Sequence, residues 1–153
     1  MQTVEPHKSS LGMDANIAIL IAYLGGVAVA WIPGLNYLAW LVPVVVFVLE
    51  KESRFVRFHA MQSFALSLVG LAFAIVLAIL TGIFAATFVY SPGAGLGLLG
   101  LIATLGTIIS IIILILAIIA IIQGFQYKEY KIPFIGNLAV KLRDSLEGIV
   151  HKS

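Results

Sequence analysis

Cysteine is absent from this chain of 153 residues, which excludes a disulfide framework, a thiolate metal site and a cysteine nucleophile. Charge is scarce as well. Only 10% of residues are Asp, Glu, Lys or Arg, against about 25% in ordinary soluble domains. Hydrophobic residues make up 61%, and a chain this small cannot hide so much apolar surface in one core, because too large a fraction must face outward. Lipid as the solvent removes that conflict, so the composition describes an integral membrane protein. The net charge of +2 is too small for a nucleic-acid footprint. Metal-ligand spacings, phosphate-cradling loops and catalytic triad patterns are missing too. No catalytic, cofactor-binding or metal-binding residue is therefore expected, and neither is enzymatic activity.

What the chain does have is long uncharged runs. Residues 15–49 carry no formal charge and would make a helix of about 52 Å, far beyond a hydrocarbon core of about 30 Å. Pro33-Gly34-Leu35-Asn36 is a turn signal in its middle, so two spans are expected near 15–32 and 36–49. Both fall below the usual length of about 20 residues, so a re-entrant hairpin fits as well. Pro43 is expected to kink the second span, because its ring excludes a helical hydrogen bond. Trp31, Tyr37 and Trp40 gather at the turn, as aromatics do at a membrane boundary. The second run, residues 58–127, is broken at Ser91-Pro92-Gly93-Ala94-Gly95 into spans near 58–90 and 96–122.

Beyond it, Ile135, Leu138, Leu142, Leu146 and Ile149 recur at helical steps with Lys141, Asp144 and Ser145 on the other side. This is an amphipathic helix near 135–150, lying on the membrane surface or against the bundle. Residues 1–13 read as a mobile tail and 14–152 as a single membrane domain, with His7 and His151 solvated in the tails. The expected fold is an all-α membrane protein, with four transmembrane helices as two hairpins plus the C-terminal amphipathic helix.

Topology follows from the cations. All nine Lys and Arg residues fall in three places: Lys8; Lys51, Arg54 and Arg57; and Lys128, Lys131, Lys141, Arg143 and Lys152. Four spans put these places on one side, and the positive-inside rule makes that side cytoplasmic, with both termini there and the chain in the cell membrane. Small residues recur along the spans: Ala18, Ala22, Gly26 and Ala30 in the first, Ser63, Ser67, Gly70 and Ala74 in the third, Gly93, Gly97, Gly100, Thr104 and Thr107 in the fourth. Such stripes permit close helix packing, either within the bundle or in a homo-oligomer or larger membrane complex.

The densest charge lies at Glu50–Ser63, E-K-E-S-R-F-V-R-F-H-A-M-Q-S. Glu50 ends one span and Arg54 and Arg57 open the next, each at the helix end whose dipole disfavours it. Pairing between these groups, or arginines holding anionic lipid headgroups, would relieve this. His59 and Gln62 follow one turn apart, either as a buried interhelical hydrogen bond or lining a conduction path. Glu50, Arg54, Arg57, His59 and Gln62 are thus the candidate structural, partner or lipid contacts. No ionic residue lies deep in a span, which argues against a pump with an acidic relay.

The same stretch, with N-I-A-I-L-I-A-Y-L-G-G at 16–26 and Y-K-E-Y-K-I-P-F-I-G-N-L-A at 127–139, resembles the signature of the Tic-twenty-like family. These are small four-span prokaryotic membrane proteins, a domain of unknown function distantly related to a chloroplast inner-envelope protein-import subunit. The resemblance implies four helical spans and a C-terminal element near the membrane. The expected function is that of a non-catalytic structural or accessory subunit, acting through helix packing and a cytoplasmic charged loop. The alternative is a component of a transport or protein-translocation channel.

Overall fold

The computed structural model describes residues 2–150, and His151 and Lys152 lie outside them. Among the described residues the chain forms five α-helices, one 3-10 segment and one pair of two-residue strands. Helix α1 (Ala15–Ala30) starts after Asp14, whose backbone is extended. It ends ahead of Gly34, whose φ of 84° is a left-handed turn conformation that glycine adopts without strain.

A 3-10 segment (Asn36–Leu41) then leads into α2 (Val42–Leu49). Pro43 sits in the first turn of α2, where its missing N–H is not needed. It therefore opens this helix, and the kink expected within a longer span does not arise. Helix α1 packs on the 3-10 segment and α2, closely enough that a Cβ on Gly26 would lie 2.8 Å from the Ala39 carbonyl oxygen.

Helix α3 (Arg54–Tyr90) begins four residues ahead of the expected position. Ser53 is the reason: its Oγ accepts the Val56 N–H at 3.2 Å and its carbonyl accepts the Arg57 N–H at 3.1 Å, as at a helix N-cap. Helix α4 (Pro92–Phe125) follows after Ser91 alone. Proline suits a first helical position, so the break expected over 91–95 shrinks to one residue. At 37 and 34 residues, α3 and α4 would extend about 55 and about 51 Å. Their most apolar 18-residue stretches are 0% and 6% buried. Two helices are thus long and apolar enough to cross a membrane. Helix α1, with 16 residues, reaches about 24 Å, short of a hydrocarbon core of about 30 Å.

The chain divides into two compact units. Residues 68–115 form one and the remainder the other. The first of these contains no ionic residue. Within it a Cβ on Gly106 would lie 3.2 Å from Leu77, and one on Gly95 would meet the Phe88 backbone at 2.5 Å.

The other unit holds every described charge. There β1 (Gln2–Thr3) pairs antiparallel with β2 (Lys128–Glu129), extended by the Val4 N–H donating to the Tyr127 carbonyl at 2.8 Å. Tyr127 and Phe134 take left-handed φ values of 56° and 63° and bracket the segment that turns from α4 into α5 (Ile135–Val150). Within the described part of the expected mobile tail, Val4, His7, Ser9 and Ser10 are hydrogen-bonded to the rest of this unit. The core of the unit is Ala18, Ile19, Ala22, Phe47, Phe58, Met61, Ala120 and Ile132.

Candidate functional site

The charged corner is built by three stretches far apart in sequence: residues 5–14, residues 50–63 and residues 123–147. Glu50 leaves the end of α2 in an extended conformation, which turns its side chain back beneath the loop. Its carboxylate is fully buried and collects five donors. The Ser9 hydroxyl donates to Oε2. Oε1 accepts from the Ser10 N–H at 3.2 Å, the Ser10 hydroxyl at 2.9 Å, the Glu52 N–H at 3.0 Å and the Ser53 N–H at 2.8 Å. An ionised carboxylate is an acceptor only, so a donor-rich nest suits it. Burial by itself would push the carboxyl up. The hydrogen bonds from Ser53, Ser9 and Ser10 outweigh it and hold Glu50 below the usual carboxylate range.

Pairing of Glu50 with the arginines is not what relieves its position at the end of α2. Its oxygens reach the N–H groups that lead into α3, where the dipole favours an anion. Arg57 turns to α5, with Nη2 at 2.8 Å from Glu147 Oε1 and its guanidinium 5.1 Å from the centre of the Phe47 ring. Arg143, also buried, joins the group through Asp144 at 2.8 Å and Glu147 at 3.8 Å. Arg54 is exposed. It borders an open cleft of about 710 Å³ with His7, Lys8, Glu52 and Glu129.

His7, expected in solvent, is half-buried and ties the tail to the loop. Its Nδ1 lies 2.8 Å from the Glu5 carbonyl oxygen and therefore carries the proton. Its Nε2 then accepts from the Ser53 hydroxyl at 2.7 Å.

Gln62 is the second hub. Its Nε2 donates to the Tyr23 hydroxyl and to the Tyr130 carbonyl, each at 3.1 Å, and its Oε1 accepts the Ile132 N–H at 3.1 Å. One side chain thereby joins α1, α3 and the segment after α4. Ser63 adds a bond to the Ala22 carbonyl at 2.9 Å.

His59, equally buried, lies edge-on to Phe55, Phe58 and Tyr23 at centroid distances of 4.9, 5.3 and 6.2 Å. The backbone of Lys128 is within its electrostatic reach, but neither ring nitrogen makes a well-formed hydrogen bond. Gly124 makes room for this ring, since a Cβ there would lie 3.3 Å from it and 2.9 Å from Ile19. His59 and Gln62 therefore face protein on all sides.

Apart from the His59 ring, whose nitrogens lack hydrogen-bond partners, the main polar groups of the corner are used in cross-links. Glu50 is saturated by donors, Gln62 uses both ends of its amide, and the Arg57 charge is balanced by Glu147. Among the described residues no three of His, Asp and Glu gather to hold a metal ion. Of the five sequence candidates, Glu50, Arg57, His59 and Gln62 are inside this corner, while Arg54 stays at its surface. Ser9, Ser10, Tyr23, Arg143 and Glu147 were not anticipated. The Arg143–Glu147 spacing of four residues was a legible helix-pair signal; the serines, 40 and 41 residues from Glu50, offered none.

A model of the magnetosome magnetite crystal formation protein family (MamF/MmsF) matches residues 14–139. The chain is also similar to a UPF0132 membrane protein of Methanocaldococcus jannaschii, 41% identical over 59 residues, which cover 39% of this chain and 42% of that protein. The match thus spans less than half the length of that curated relative. No solved structure matches. These findings overturn the Tic-twenty-like resemblance, as neither match is to that family. The motif at 50–63 that carried it encodes a packed polar corner, with Glu50, Ser53 and Gln62 each filling a hydrogen-bonding position. Such a corner marks a way of folding and carries no signature of protein import.

Proposed function

Since the chain belongs to the magnetosome magnetite crystal formation protein family, we propose that it is a membrane-embedded, non-catalytic accessory subunit, which offers its charged corner as a docking platform on one side of the bilayer. The single observation that carries this reading is the cross-linking of the three cation-bearing segments. β1 joins β2, His7 joins Ser53, and Gln62 joins Tyr130 and Ile132. Segments in contact lie on the same side of a membrane, so each apolar hairpin leaves that side and returns to it. The positive-inside rule makes it the cytoplasmic side of the cell membrane. Four crossings in two hairpins is the arrangement proposed, with α3 and α4 as the long pair.

The non-catalytic part of the proposal rests on how Glu50, Arg57 and Gln62 are spent: they bond within the corner, and none of them lines the open cleft beside Arg54. A role in forming magnetite crystals is the specific form this accessory work would take in a mineral-forming cell. Affinity purification of the full chain in mild detergent tests the proposal. Recovery of a stable complex whose partner is lost when Arg54 and Lys51 are replaced by Glu supports it. Recovery of the chain alone, with the same partners absent after crosslinking in native membranes, overturns it.

A second reading, self-assembly in the membrane, has its own observation. A Cβ on Gly93, Gly97 or Gly100 would meet nothing within 4 Å, so this stripe of α4 is free to receive another helix closely. Native mass measurement in lipid discs decides it: a strict monomer removes the self-assembled forms, the channel included.

A further inference from the structure

Helix α5 is apolar on more of its circumference than the protein covers. Ile135, Gly136, Ala139 and Arg143 are buried on one side. Next to that side runs a second apolar stripe, Phe134, Leu138 and Ile149, exposed at 92%, 38% and 75%. Phe134 is unusual twice over: it is a bulky aromatic left almost wholly exposed, and its φ of 63° is one that only a few per cent of non-glycine residues adopt. Residues held in such conformations cluster at functional sites.

Lys141, exposed and three residues on from Leu138, borders this stripe, and Asp144, the nearest acid on the helix, is already paired with Arg143. In the same unit the end of α4 also exposes Ile122 and Phe125. An exposed apolar stripe with a lysine on its border matches a bilayer interface bearing negative charge.

We infer that α5 is an interfacial helix whose Phe134–Leu138–Ile149 stripe enters the headgroup region of an anionic bilayer, while its opposite face stays fixed to α3 by the Arg57–Glu147 pair. This rests on the membrane reading above. It adds a second lipid contact, parallel to the membrane, with a stated lipid class.

The absence of cysteine from the chain makes the test direct. Full-length Leu138→Cys, Asn137→Cys and Ile111→Cys proteins, each carrying a nitroxide, are reconstituted in vesicles of phosphatidylcholine with or without phosphatidylglycerol. Their exposure to membrane-dissolved oxygen and to an aqueous nickel quencher is then compared. The label at 138 should be oxygen-accessible and shielded from nickel in anionic vesicles, and the label at 137 the reverse. Adding Lys141→Gln should lower the ratio of inserted to water-exposed label at 138 by about fivefold. Equal nickel access at 137 and 138 overturns the inference, as does spin–spin broadening at 138 that grows with protein density, which would assign the stripe to a second copy. Insertion that is the same in both lipids overturns the anionic assignment. A water-exposed label at 111 would instead overturn the membrane reading itself, so the two failures are told apart.

Discussion

Replacing Glu50 by glutamine preserves the shape of the side chain and removes the charge around which the corner is assembled. Five donors converge on the carboxylate. Hydrogen bonds to a charged acceptor contribute about 1.5–3 kcal/mol against about 0.5–1.5 for neutral partners, and the amide also puts a donor where an acceptor stood. The Ser9 hydroxyl can rotate to accept from that new donor, so the net loss is about 2 kcal/mol, which at 1.4 kcal/mol per factor of ten is about thirtyfold. It falls on the contacts between residues 9–10 and 50–53, so the effect is local opening rather than collapse of the bundle.

The assay is therefore amide exchange and limited proteolysis of residues 2–14, with opening fast relative to cleavage. Glu50→Gln should speed both by about thirtyfold and leave residues 68–115 unchanged. Acid should mimic it. The folded carboxyl is held below its ordinary value, so its contribution is complete above the usual glutamate value of about 4.3 and is lost as the pH falls through the depressed folded value. The Glu50→Gln protein should lack that acid-dependent loss. Unchanged protection of residues 2–14, or an equal effect from the exposed Glu52→Gln, would refute the reasoning.

Gln62→Leu should cost about 3–5 kcal/mol in denaturant titrations in detergent, because the Tyr23 hydroxyl, the Tyr130 carbonyl and the Ile132 N–H lose their partner at about 1–3 kcal/mol each; a loss below about 1 kcal/mol would show water taking its place. Arg57→Gln and Glu147→Gln, combined in a double-mutant cycle, should couple by about 1 kcal/mol, the upper end for a pair whose carboxylate remains partly solvated; additive effects would deny the latch between α3 and α5. Gly26→Ala should destabilise by about 1–3 kcal/mol through its clash with the Ala39 carbonyl, whereas Gly97→Ala, with nothing within 4 Å, should be neutral or slightly stabilising in the same thermal assay.

How much of this was legible beforehand depended on whether the cause was local. Ser91-Pro92 was readable as a break, but its width was not, because proline at a first helical position and glycine within the first turn let α4 begin at once. Pro43 opens α2 and does not kink a longer span, and nothing in the run of 36–49 reveals that its first six residues wind as 3-10. Glu50 and Gln62 stood out as polar groups beside apolar runs. Their partners did not, because Ser9, Tyr23 and Ile132 are ordinary residues until folding brings them within 3.1 Å or less.

The sequence by itself determined the solvent of the protein, its helical character, the two long apolar helices, the amphipathic α5 and the grouping of cations into three segments. All of these follow from composition and from periodicities of a few residues. Only the tertiary structure decided that the N-terminal segment is a hydrogen-bonded part of the corner, that Glu50 answers to serines and Arg57 to Glu147, and that Gln62 closes three segments at once. The physical reason is distance along the chain. Propensity, patterning and dipoles act over one or two helical turns, whereas these bonds join residues 39 to 90 positions apart, and their partners are chosen by how the helices pack.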